Sequence, residues 1–246
     1  AIGGGASGTL YVWSTLSGQL LQTVPRAHYR SITCLKFTLD HRHVISGGAD
    51  GMVHVFALMD LVASKDEHQQ RTAGSNSSIA PIRTWSKHSM PITHLDNLSD
   101  ARIFSTSQDG ELLIMEVCSQ DIIATIKLPQ TIATCAVHQQ RIYVGGSLGT
   151  IFVLDLDLYS MHQTIHQLGA SVARNAAAAV SQSTKESEQK TTQLSYKTEL
   201  LGHRHPITAL TAWQGEDGGE FLASGDTAGN IRIWDVSSRV YVRIVR

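Results

Sequence analysis

At 246 residues the chain is long enough to bury one large core or two modest ones. Charged residues make up 17% and the formal net charge is −1, which argues against a protein that coats nucleic acid through bulk electrostatics. No apolar run approaches the roughly 20 residues that cross a bilayer, so no membrane contact is expected. No secretory signal pattern is visible; residue 1 is Ala rather than Met, so an address upstream stays open.

The chain opens AIGGGASGTLYVW, in which Gly3, Gly5 and Gly8 spell G-x-G-x-x-G. A dinucleotide loop of that pattern follows a strand and opens a helix. Here the glycines lead into Thr9–Trp13, an alternating run rich in aromatic and β-branched residues that predicts a strand, with a second at Gln19–Val24. The context therefore predicts a tight strand-to-strand turn and no nucleotide. Downstream, strands are predicted from Ile32 to Phe37, up to Phe56, and at Ile82–Trp85. Between the last two lies a polar insert, Met59–Ala80. Further strands open at Ile92, Ile207 and Val240. Gln163–Tyr196 is built of Ala, Ser, Gln, Thr, Lys and Glu; it is low-complexity and expected to be mobile, with a helical turn at Ala173–Val180.

The opening turn recurs. Gly4–Trp13 aligns with Gly47–Phe56, Thr106–Met115, Gly145–Leu154 and Gly225–Trp234, with glycine in register at Gly8, Gly51, Gly110, Gly149 and Gly229. The spacings from Trp13 to Phe56 and from Met115 to Leu154 are 43 and 39 residues; the longer gaps carry the two inserts. Upstream of three turns a histidine precedes an isoleucine by four: His28 and Ile32, His88 and Ile92, His203 and Ile207. His with Ser and Asp suggests a hydrolase triad, but an enzyme needs one site and periodic recurrence points to scaffold. The pairs His41/His43 and His203/His205 lack the cysteine or carboxylate partners of a metal site and read as loop histidines. Cys34, Cys118 and Cys135 show no C-x-x-C spacing; free thiols in a reducing compartment are expected, Cys34 and Cys135 buried in apolar strands, with no zinc and no cofactor.

A unit of about 40–45 residues with such turns resembles the WD-repeat blade, and Gly202-His203 with Trp234-Asp235 forms the Gly-His…Trp-Asp pair that names it. The fold expected is all-β: a WD-repeat β-propeller, here about four and a half blades of a seven-bladed ring. The expected blades are residues 1–25 (the last two strands of a cut blade), 26–86 with the insert at 59–80, 87–128, 129–200 with the insert at 163–196, and 201–246. Two or three blades, and a tail, are inferred to lie outside the chain. The resemblance implies a hydrogen-bonded chain of His, Ser, Asp and Trp in each blade. By position these are His28, Ser46 and Asp50 (Phe56 for Trp), His88, Ser105 and Asp109 (Met115 for Trp), and His203, Ser224 and Trp234 with Ala228 for Asp. The blade ending at Leu154 has none of the His, Asp and Trp, Ser7 takes the Asp place in the opening turn, and no blade is complete.

The wording of the repeats, notably Ala27-His-Tyr-Arg-Ser-Ile-Thr33, Ile45–Asp50, His88–Thr93, Gly202–Thr208 and Ser224–Val236, resembles the WD-repeat subunit of the nuclear pre-ribosomal-RNA (internal transcribed spacer) processing complex. That resemblance implies a nuclear, non-enzymatic scaffold joining other subunits of that complex on large-subunit precursors, where a remodelling ATPase is engaged. The alternative is a WD-repeat adaptor of another complex, a ubiquitin-ligase receptor or chromatin scaffold. Direct RNA contact is left open, Arg239, Arg243 and Arg246 giving the last strand a basic end. Tyr29, Arg30, Asp226 and Thr227, in loops on one rim, are the candidate partner contacts.

Overall fold

The computed structural model describes residues 1–63, 79–139, 141–156, 192–193 and 198–245. The helical turn expected at Ala173–Val180 lies outside them, as does most of each insert. The described chain is five sheets in sequence order. The first holds β1 (Ile2–Gly4), β2 (Leu10–Trp13) and β3 (Leu20–Val24). The second holds β4 (Ile32–Phe37), β5 (His43–Gly48), β6 (Val53–Ala57) and β7 (Arg83–Trp85), with a short helix α1 (Leu58–Val62) after β6. The third holds β8 (Ile92–Asn97), β9 (Arg102–Ser107), β10 (Glu111–Glu116) and β11 (Ile122–Lys127). The fourth holds β12 (Ile132–His138), β13 (Arg141–Gly146), β14 (Ile151–Asp155) and β16 (Thr198–Leu200). The fifth holds β17 (Ile207–Gln214), β18 (Glu220–Asp226), β19 (Ile231–Asp235) and β20 (Val240–Val245). Each is an antiparallel meander. One two-residue strand, β15 (Thr192–Gln193), adds in parallel to the outer edge of β11. The first sheet has one strand more than the sequence pattern marks, because Ile2–Gly4 pairs with Leu10–Val12.

Successive sheets pack through their first strands: β1 on β4, β4 on β8, β8 on β12 and β12 on β17. The four-strand units thus stand as blades around a common inner edge, the arrangement of a β-propeller. Position along the arc decides burial. In the third blade Leu112, Leu113, Ile114 and Met115 are all fully buried, since the sheet has a neighbour on each face. That explains a continuous apolar run in place of alternation. At the ends of the arc alternation returns. Leu10 and Val12 face the second blade while Trp13 is 36% exposed and stacks on Tyr11. In β17 and β18, Trp213 and Phe221 stack on the open face of the fifth blade.

The inner strands share a device that sequence alignment alone does not reveal. Their pairing slips by one residue between Ile32 and Cys34, Ile92 and His94, Ile132 and Thr134, and Ile207 and Ala209. Each slip is a β-bulge, which bends and twists the inner strand. In two blades the bulged threonine caps a carbonyl freed by the slip, Thr33 Oγ1 donating to Gly47 O at 3.0 Å and Thr208 Oγ1 to Gly225 O at 3.3 Å.

Candidate functional site

The repeated turns place the polar residues. Gly8, Gly51, Gly110, Gly149 and Gly229 all adopt positive φ, between 76° and 83°, a region where a Cβ is strained. In the first four, the next blade adds a second constraint. A Cβ on Gly51 would lie 2.6 Å from the carbonyl oxygen of His88, and one on Gly149 2.6 Å from that of His203. Each turn therefore abuts the histidine loop of the following blade, or in the third blade the loop of Gln130. Gly229, in the fifth blade, has no neighbouring atom within 4 Å.

His28 is buried and uses both ring nitrogens, with Nδ1 3.0 Å from Asp50 Oδ1 and Nε2 2.7 Å from Ser46 Oγ. An ionised carboxylate only accepts, so Nδ1 carries the proton and Nε2 accepts from the serine hydroxyl. Burial lowers the His28 pKa, against the opposing pull of Asp50, and keeps the ring neutral. Burial works against the charge on Asp50 as well. The hydrogen bonds from His28 and from the N–H groups of Met52 and Tyr29 outweigh it and hold the carboxyl below its usual range. The third blade repeats the set: His88 Nε2 to Ser105 Oγ at 2.8 Å and Nδ1 to Asp109 at 3.3 Å, with Asp109 accepting from the N–H groups of Ser89 and Glu111. Again burial lowers the histidine pKa. In the second blade, where Phe56 stands in the tryptophan place, a second imidazole lies beside the first. His54 packs 4.5 Å from His28, centroid to centroid, and bonds Thr84 Oγ1 at 2.8 Å. Its pKa is pushed down to about 4 by burial and by the neighbouring imidazole.

The fifth blade corrects two expectations. Its chain is complete: Trp234 Nε1–H donates to Ser224 Oγ at 2.7 Å, Ser224 lies 2.7 Å from His203 Nε2, and His203 Nδ1 lies 2.8 Å from Asp226 Oδ2. The acid is Asp226, two residues before Ala228, where the glycine register places it. Geometry explains the move. At the matching position of the second blade, Gly48, an added Cβ would lie 2.4 Å from both His28 Nδ1 and Asp50 Oδ1. A side chain from there points straight at the imidazole. The second blade uses Gly48 with Asp50, and the fifth uses Asp226 with Ala228. Asp226 is therefore not a partner contact: it is 6% exposed, and its carboxylate is spent on His203, Asn230 and the N–H of Ala228. The same bonds hold its pKa far below the usual carboxylate range, against the effect of burial. Thr227 beside it is exposed, as are Tyr29 and Arg30. In the fourth blade, Gln130 takes the histidine place and its Oε1 accepts from the N–H of Leu148 at 2.9 Å.

These sets offer no open chemistry. Ser46, Ser105 and Ser224 are fully or almost fully buried, and both nitrogens of each histidine are occupied. Donor atoms of His88, Asp109 and Glu111 gather within 4.8 Å, as metal ligands would. A cation already stands there, since Lys127 Nζ lies 2.7 Å from Asp109 O and 3.4 Å from Glu111 Oε1. Of the cysteines, Cys135 is buried, its thiol pKa pushed up to about 12 by burial; Cys34 is only half-buried and Cys118 exposed.

A second polar set escaped sequence reasoning. Between the fourth and fifth blades, buried Glu220 accepts from Tyr143 Oη at 2.5 Å and from Arg141, whose Nε donates to Asp155 at 2.6 Å. Arg141 and Asp155 also line a cleft of about 310 Å³ with Thr198, Ser237 and Arg239. Arg141 and Glu220 lie 79 residues apart, and no local pattern couples them.

The family model for the WD domain, G-beta repeat, matches residues 18–56 and 194–235. These two segments are WD40 repeats. Over 98% of its length the chain is similar to WD repeat-containing protein 18 of Rattus norvegicus, 28% identical over 246 residues and 49% of that protein. It is also similar to pre-rRNA-processing protein crb3/ipi3 of Schizosaccharomyces pombe, 27% identical over 256 residues, covering 98% of the chain and 54% of that protein. Against pre-rRNA-processing protein IPI3 of Meyerozyma guilliermondii the identity rises to 36% over 155 residues, 61% of the chain and 33% of that protein. The chain thus spans about half the length of the curated relatives it matches in full.

Proposed function

We propose that this WD-repeat chain is part of a nuclear, non-enzymatic scaffold that acts in pre-rRNA spacer processing and maturation of the large ribosomal subunit. The observation that carries the reading is similarity along almost the whole chain to relatives called pre-rRNA-processing proteins, from fungi to Caenorhabditis elegans. The interior agrees with a scaffold. Every His–Ser–Asp set in the described residues is buried and closed on itself, so the polar groups stiffen blades and leave recognition to the rims. The partners proposed are other subunits of a processing complex, large-subunit precursor particles and a remodelling ATPase. The structural positions proposed are His28, Ser46, Asp50, His88, Ser105, Asp109, His203, Ser224 and Trp234, with Asp226 added.

The test is affinity capture of the full-length protein from growing cells, with RNA sequencing of the bound material. Large-subunit precursors still carrying spacer RNA are the expected catch, and depletion of the protein should make spacer-containing precursors accumulate. Capture of ubiquitin-ligase subunits or chromatin factors without precursor RNA refutes the reading.

A further inference from the structure

A net charge of −1 conceals a strong separation of charge between the two ends of the blades. In the second to fifth blades the turn between second and third strands bonds the loop that enters the first: Ala49 N–H to Ser31 O, Gln108 N–H to Pro91 O, Ser147 N–H to Thr131 O and Thr227 N–H to Pro206 O. These turns and loops form one face. Its aspartates, Asp50, Asp109 and Asp226, are consumed by the histidine chains beneath it. Glu111 is paired with Lys127. What remains exposed is cationic: Arg26, Arg30, Lys87 and Arg204, none in an ion pair among the described residues. Glu199, on the outermost strand of the fourth blade, is an exposed acid whose strand pairs with β14. At the opposite end the exposed groups are mainly acids, Asp40, Asp100, Asp121, Glu216 and Asp217, with Arg42 and Arg239 the exposed arginines among them.

The cationic face is not purely polar. Tyr29 is 82% exposed, Leu148 72%, Leu201 67% and Met90 47%, interleaved with the arginines. Arginine, tyrosine and methionine are the residues enriched where proteins meet. Aliphatic groups have nothing to offer a phosphate backbone. A single exposed tyrosine also falls short of the aromatic series on which successive bases stack. Arginine forks match carboxylates two bonds at a time.

We propose that this face binds an acidic segment of a partner protein in which apolar side chains alternate with Asp and Glu. The carboxylates pair with Arg26, Arg30, Lys87 and Arg204, and the apolar side chains cover Leu148, Leu201 and Met90. The inference rests on the geometry of the face and stands apart from the pre-rRNA reading, whose own test is the capture of precursors.

The experiment is fluorescence anisotropy on the purified protein with three labelled 16-residue probes: a peptide alternating Asp and Glu with Leu and Phe, its counterpart with Lys for each acid, and oligouridine. The acidic peptide is expected to bind tighter than about 100 µM, the affinity falling as salt screens the charges. Reversing Arg30→Glu with Arg204→Glu should weaken it at least tenfold, with an unchanged circular dichroism spectrum. Reversing Asp40→Lys with Glu216→Lys, on the other face, should leave it within twofold. Absence of acidic-peptide binding, binding indifferent to Arg30 and Arg204, or oligouridine binding more tightly through the same residues each overturns the proposal.

Discussion

Moving the carboxylate in the fifth blade tests whether the imidazole, and not a sequence position, is what the acid serves. Asp226→Ala removes the acceptor for His203 Nδ1–H and for the N–H groups of Ala228 and Asn230. The turn at Thr227, Ala228 and Gly229 is exposed, so water can replace part of the loss there. The buried imidazole has no such recourse. An unpaired buried donor costs about 1–3 kcal/mol, and with the turn the total comes to about 3 kcal/mol. At this chain length 1 kcal/mol shifts Tm by about 2–4 °C, so a fall of roughly 9 °C is expected. The double change Asp226→Gly with Ala228→Asp recreates the second blade's arrangement of Gly48 and Asp50. There the acid reaches His28 Nδ1 at 3.0 Å and collects the N–H groups of Tyr29 and Met52. It should recover more than half of the lost Tm, measured by circular dichroism melting of the purified chain. A double variant no more stable than Asp226→Ala would refute the reasoning.

The neutral histidines make the fold acid-sensitive. Because burial lowers the folded pKa of His28, His54 and His88 below the ordinary 6.5, the unfolded chain binds more protons in that window. Stability is complete above pH 6.5 and is lost as pH falls, His54 alone accounting for up to about 3 kcal/mol by pH 4. Urea midpoints at pH 7, 5.5 and 4.5 should fall in that order, more shallowly for His54→Leu; midpoints that rise on acidification contradict the assignment. Gly51→Ala and Gly229→Ala carry the same backbone strain, about 1 kcal/mol, yet only the first drives a Cβ into the carbonyl of His88. Gly51→Ala should therefore lower Tm several degrees further than Gly229→Ala, and equal losses would rule out the blade-to-blade contact as the reason for glycine.

The repeat was legible because its turn needs a backbone geometry that few residues tolerate. A glycine at φ near +80° cannot drift, so it keeps register even where the flanking words change. His28, Ser46 and Asp50 were legible for a related reason: the histidine sits four residues before the isoleucine that opens the inner strand, and the serine and aspartate sit five residues and one residue before that glycine. The same reliance on register misplaced the fifth blade's acid. Two positions in the turn reach one imidazole, and a linear alignment treats them as different sites. Ile2–Gly4 was missed since a strand of glycines carries no apolar pattern, its pairing being supplied by Leu10–Val12. The bulges left a trace in Ile-Thr at residues 32, 92 and 207, but their capping bonds depend on carbonyls of a neighbouring strand.

The fourth blade shows which of these features a blade can lose. It has no histidine chain, and Leu154 stands where Trp234 stands in the fifth. Yet Ile142, Tyr143, Val144, Ile151 and Phe152 are fully buried, sharing apolar clusters with both neighbouring blades. A fully buried side chain of that size contributes about 1.5–3 kcal/mol, whereas a hydrogen bond adds about 0.5–1.5 net. Burial on two faces therefore outweighs the missing chain, and Tyr143, Glu220 and Arg141 supply a polar tie to the next blade in its place.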